Sequence, residues 1–151
     1  MDKNKTSELL SVSRVFKLIL ILAGLLIIGL SVFYVFHLKT GANRAFREAK
    51  NVYMALSAVE IDYYSRGESI FDPSKYDGLS EGVADRVETL AGSEGTYRII
   101  SYDNKRHRII NMIYTNKNFY VTYTYGQDES EWDVNYLIPL YSYIDVERVK
   151  E

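Results

Sequence analysis

The sequence predicts an α+β protein: a long N-terminal helix, its first half transmembrane and its second half packed on an antiparallel β-meander of four to five strands, with a short helix in the connecting loop. Three observations carry that prediction. An uncharged apolar run of 21 residues extends from Leu18 to Leu38 (LILILAGLLIIGLSVFYVFHL), roughly 31 Å as a helix and about the thickness of a bilayer core. Directly behind it, apolar and small residues recur in steps of three and four. From Tyr97 onward the pattern changes to alternating β-branched and aromatic segments.

Composition sets the limits. Of 151 residues, roughly 40 are taken by a polar leader (residues 1–15) and the span (16–38), which leaves one ordinary domain. Charge is unevenly spread: residues 1–50 hold eight Lys/Arg and three Asp/Glu, residues 51–151 ten and seventeen. A basic collar beside a span suits anionic headgroups, whereas an acidic distal domain argues against nucleic-acid binding. Zero cysteines exclude disulfides, thiolate catalysis and cysteine-based metal centres.

The run is longer than a secretion signal's apolar region and ends in Val35-Phe36-His37-Leu38-Lys39, without a small-x-small cleavage site. It therefore reads as a retained anchor. Lys3, Lys5, Arg14 and Lys17 on one side are matched by Lys39, Arg44, Arg47 and Lys50 on the other, so the positive-inside count is a tie. The amino terminus is placed in the cytoplasm and the domain outside the cell membrane, because Phe33, Tyr34, Phe36 and His37 then mark the distal interface.

In the amphipathic continuation (39–66), Ala42, Ala45, Phe46, Ala49, Val52, Tyr53, Leu56, Val59 and Tyr63 form one helical stripe. Asn43, Arg44, Arg47, Glu48, Lys50, Asn51, Ser57 and Asp62 fall on the opposite, solvent face. No proline occurs before Pro73, so a helix from Phe16 to Ser65 would be continuous for roughly 75 Å; the alternative is a hinge at Gly41. Gly67 is placed to supply a left-handed cap.

The distal domain (67–151) opens with a turn-rich loop, Phe71 to Gly78. The short helix is predicted with Ser80 as N-cap, Leu79, Val83, Val87 and Leu90 on one face, and Gly92 as its stop. Five strands follow, at Tyr97–Tyr102, Arg108–Thr115, Phe119–Tyr125, Trp132–Ile138 and Leu140–Val146. Short connections favour a meander. In the third strand Phe119, Val121, Tyr123 and Tyr125 share one face, which the stripe of the long helix would bury.

This order resembles the type IV pilin and pseudopilin family, as do Arg14-Val15-Phe16-Lys17-Leu18-Ile19-Leu20 at the entry to the apolar run. Precursors of that family carry a basic leader and then Gly-Phe-Thr-Leu-Ile-Glu; Phe16, Leu18 and Ile19 match. Val15 stands where the leader peptidase requires glycine, and Leu20 stands where the glutamate should be. The departures belong together. In the family the glutamate is thought to pair with a neighbour's new amino terminus, and an unpaired charge in the bilayer costs about 2.5–3.5 kcal/mol. The resemblance implies an atypical pilin-like component of a type IV pilus or type II secretion-like system, uncleaved and minor or non-polymerising. Its partners would be membrane lipid and other pilin-like subunits through the long helix.

No catalytic, cofactor-binding or metal-binding residue is predicted, and no enzyme. Lys105-Arg106-His107-Arg108, near Tyr102 and Tyr114, could touch DNA but reads as a solvated turn. Asp72 and Asp77 could hold Ca²⁺, yet their spacing fits Asx-capped turns better. His37, at the interface, and His107, opening a strand, make no metal site, and the Glu129/Glu131 pair lies in a loop. Gly24 and Gly29, five apart, miss the spacing of close helix dimers. The alternative function is a stand-alone anchored extracytoplasmic binding or sensor domain.

Overall fold

The computed structural model describes residues 3–137, and side chains from residue 15 onward. Two helices, α1 (Lys3–Ser65) and α2 (Val83–Ala91), precede four strands, β1 (Thr96–Asp103), β2 (Arg108–Asn116), β3 (Phe119–Thr124) and β4 (Glu131–Tyr136). The strands form one antiparallel sheet in the order β1-β2-β3-β4. This is the α+β meander predicted; the fifth strand, Leu140–Val146, lies outside the described residues.

The chain divides into two compact units between Thr40 and Gly41, so the second half of α1 belongs with the sheet. Helical backbone is nevertheless assigned throughout Lys3–Ser65, Gly41 included. Gly41 works by close approach: the Phe119 ring sits where a Cβ would be, its Cε2 atom 2.6 Å from that position. The helix also starts earlier than Phe16. No glycine or proline occurs before Gly24, and extending a helix costs far less than nucleating one, so the polar leader joins the same element.

The predicted stripe forms the core. Ala45, Ala49, Val52, Leu56, Val59 and Tyr63 are buried against Ile99, Ile109, Met112, Tyr114, Val121 and Tyr123 of the sheet. Ala45 and Ala49 let helix and strands approach closely, while Val52, Leu56 and Val59 each contribute about 1.5–3 kcal/mol of burial. On β3, Val121 and Tyr123 are buried and Phe119 packs beside them, as alternation requires, with Tyr125 packing just past the strand's end at Thr124. α1 ends as expected: Gly67 is left-handed at φ 73°, and the Gly67 and Glu68 amides donate to the Tyr64 and Tyr63 carbonyls at 2.9 and 3.0 Å.

α2 corrects two details. Its N-cap is left-handed Gly82, without a side-chain cap, while Ser80 offers its backbone carbonyl to the Val83 amide at 3.2 Å. Leu90 is exposed, because Val83, Ala84, Val87 and Ala91 supply the core face and leave Leu90 on its flank. Gly92 stops the helix as predicted, its amide donating to Glu88.

Candidate functional site

Two features of α1 stand out: an apolar surface with nothing against it, and two carboxylates that the sheet draws into its seam.

In the first unit every large apolar side chain from Val15 to Phe36 is exposed, between 53% and 69%. The exposure runs all the way round the helix, with no covered face. Length and composition make this helix capable of crossing a membrane. Two of its hydroxyls are satisfied internally: Ser31 donates to the Ile27 carbonyl and Thr40 to the Phe36 carbonyl, both at 2.9 Å, removing the main cost of placing those hydroxyls in an apolar medium. Positions for a Cβ on Gly24 and Gly29 are open.

In the second unit Glu48 leaves the solvent face assigned from the sequence and turns into the seam. Tyr114 donates to it at 2.6 Å, Arg44 at 2.8 Å, and the buried Asn116 side chain also donates to it. Arg44 bridges onward to Glu94 at 3.0 Å, and the Gly95 amide donates to Tyr114 at 3.1 Å. Burial alone would raise the Glu48 pKa, but the donors outweigh it and hold the carboxyl below the usual range. Burial and the adjacent carboxylate push the Tyr114 hydroxyl upward.

Three turns along, Glu60 accepts from Tyr102 at 2.6 Å. Here burial wins. The carboxyl is raised above its ordinary value, against the pull of the Tyr102 hydrogen bond and of His107 and Arg108. Between the two carboxylates lies an aromatic cluster, Phe46, Tyr53, Tyr123 and Trp132, with ring centroids 4.5–5.8 Å apart. Lys50 lies 4.6 Å over Phe46, and burial beside the Tyr123 hydroxyl raises the Tyr53 pKa to about 12.

The signal for Glu48 was present on β2, where Met112, Tyr114 and Asn116 occupy one face. An inward Tyr-x-Asn on a strand needs a polar partner opposite. Nothing in sequence spacing names that partner, which lies 66 residues from Tyr114.

The weaker sequence candidates resolve into local structure. Asp103 caps the basic turn, accepting from the Lys105 and Arg106 amides at 2.9 and 3.2 Å. His107 is a left-handed turn residue at φ 48°, not a strand residue. The aromatic rings against this cluster are Tyr64, 4.4 Å from His107, and Tyr125, 4.3 Å from Arg108; Tyr114 instead sits at Glu48. Asp72 accepts from the Ser74 amide and hydroxyl, and Asp77 from the Leu79 amide, so each carboxylate caps its own turn. Among the described residues no group of three or more His, Asp or Glu is placed to hold a metal.

A cavity of about 710 Å³ opens beside β1, lined by Tyr76, Asp77, Glu88, Tyr97, Arg98 and Tyr120 among others. Tyr97 donates to the Ala84 carbonyl at 3.2 Å, and Arg98 lies 5.3 Å from the Tyr76 ring. Its charged groups are of both signs. Comparison with protein-family models, curated proteins and solved structures finds no match for this chain.

Proposed function

We propose that this chain is a single-pass membrane protein of pilin-like architecture, a structural or assembly component of a type IV pilus or type II secretion-like system rather than an enzyme. The residues from about Phe16 to Leu38 span the cell membrane, with the amino terminus in the cytoplasm and the α+β domain outside. The observation that carries this reading is the change along α1, from apolar residues exposed on every face to a single stripe buried against a four-stranded meander. A helix apolar all round needs a surrounding apolar medium. Helix first, loop with a small helix, then meander is the element order of the pilin-like shape.

Val15 and Leu20 set the chain apart within that reading. Without a glycine before Phe16 the leader is retained, and no new amine forms at membrane depth for a glutamate to neutralise. The protein then acts as a permanent anchor or minor component, not as the repeating filament subunit. Amino-terminal sequencing of protein extracted from membranes tests this; a chain beginning at Phe16 would contradict it.

A stand-alone anchored binding domain is the second reading, favoured by the cavity beside β1. Co-purification in detergent separates the two. Recovery with other single-span pilin-like chains supports the assembly role, and a lone monomer supports the second reading.

A further inference from the structure

We propose that one end of the sheet domain, formed by the β2–β3 turn and the close of β4, is a docking surface for anionic lipid headgroups. The inference rests on the membrane-spanning reading of residues 16–38 and adds a second, peripheral contact.

Chain length places this end near the membrane whatever the angle between the two units. Gly41 follows Leu38 by three residues, a reach of at most about 11 Å even fully extended. The Phe119 ring is seated on Gly41, so the β2–β3 turn lies at the end where the chain enters the domain. The headgroup layer adds roughly 5–8 Å to each side of the hydrocarbon core. Phe119 and its neighbours are therefore tethered within reach of it.

The surface has the chemistry for that layer. Phe119 packs edge-on against Tyr136 at 5.3 Å, and Tyr136 is 40% exposed. The Leu137 amide donates to the Asn118 carbonyl at 2.6 Å, joining the end of β4 to the turn. Aromatic residues of this kind concentrate at membrane interfaces. Lys117 projects from the turn, exposed, at φ 52°, where glycine would cost less.

Among the described residues the free charge at this end is positive. Arg47 and Lys117 are exposed and form no ion pair there, while Glu48 is held by Tyr114, Asn116 and Arg44, and Glu94 by Arg44. At the opposite end the signs are mixed, with Lys105 and Arg106 in the turn whose amides Asp103 caps, and Asp128 and Glu129 in the β3–β4 loop. Anionic headgroups complement the first end and not the second.

The test uses the full chain in liposomes. Its lack of cysteine permits single labels at Asn118→Cys and, as a distal control, Gln127→Cys, each carrying an environment-sensitive fluorophore read against a bilayer-confined quencher. Flotation with the liposomes reports the anchor separately. In vesicles with roughly a third phosphatidylglycerol, the label at 118 should be quenched and that at 127 should not; in phosphatidylcholine alone quenching at 118 should fall. Lys117→Gln should lower the docked-to-free ratio about fivefold while flotation is unchanged. Failure to float overturns the anchor on which the proposal rests. A floating chain with equal quenching at 118 and 127 overturns the docking surface alone, and quenching at 118 that ignores both phosphatidylglycerol and Lys117→Gln overturns its anionic recognition.

Discussion

The two halves of α1 have the same backbone and opposite surroundings. Between Val15 and Phe36 apolar side chains point in every direction and remain at least half exposed; between Ala45 and Tyr63 a single stripe, Ala45, Ala49, Val52, Leu56, Val59 and Tyr63, is at most 7% exposed, while Met54 and Ile61 on the other face stay in solvent. Both halves are rich in apolar residues. What differs is their angular distribution, and that decides which solvent each half requires. A stripe can be covered by one sheet, whereas a helix apolar all round can be covered only by an apolar medium.

The sharpest way to break the comparison is to make the same kind of change in each half. Leu56→Ala leaves a cavity between helix and sheet and should destabilise the domain by about 2–5 kcal/mol, measured by denaturant titration in detergent with Trp132 as reporter. Leu26→Ala, in the exposed half, should leave that transition unmoved. In reverse, under the proposed membrane span, Ile27→Arg puts a charge near its middle at about 2.5–3.5 kcal/mol. It should shift the protein out of the alkali-resistant membrane fraction without moving the Trp132 transition.

Much of this contrast was legible in the sequence, because it depends on local period. The unbroken run at Leu18–Leu38, the steps from Ala45 to Tyr63 and the alternation on β3 each identify an element and its buried face. What was not legible depends on contacts far apart in the chain. Glu48 shares its helix with Arg47 and Lys50 and reads as one more surface charge until β2 brings Tyr114 and Asn116 against it. Likewise Gly41 reads as a hinge until Phe119, from β3, occupies the space of its missing side chain. Ser80 was a plausible cap by residue type, but left-handed Gly82 had already set where α2 starts.

The two seam carboxylates sharpen the comparison within the buried half. Glu48→Gln removes the charge and turns one of the two carboxylate oxygens, Oε1 facing Arg44 or Oε2 facing Tyr114 and Asn116, into an NH2 donor that faces other donors, and should cost about 1–3 kcal/mol at neutral pH. The signs of their pH dependences are opposite. Glu48 is held below its ordinary pKa, so its stabilisation is present above the unfolded-state value of about 4.3 and is lost as pH falls through the lowered folded value. The cost of Glu48→Gln should shrink along that fall. Glu60 is raised, so its contribution is fully present below the unfolded value and is lost as pH rises through the folded one. Glu60→Gln should therefore gain on wild type as pH rises from 4 to 7, a smaller effect read in the same titrations.

The smallest effect is expected at the junction. Gly41→Ala gains up to about 1 kcal/mol of helix propensity but pushes against the Phe119 ring edge, which can shift. The two should nearly cancel, leaving the Trp132 transition within about 0.5 kcal/mol of wild type.

The central claim is that one helix is solvated by lipid ahead of Gly41 and by its own sheet behind it. A single-cysteine scan along α1 in liposomes, each label read against a bilayer-confined quencher, tests that claim most directly. The account predicts quenching at every position from Leu20 to Phe36, on all faces of the helix, and none on the stripe from Ala45 to Tyr63. Labels from Leu20 to Phe36 that escape the quencher, or stripe labels that meet it, would contradict it.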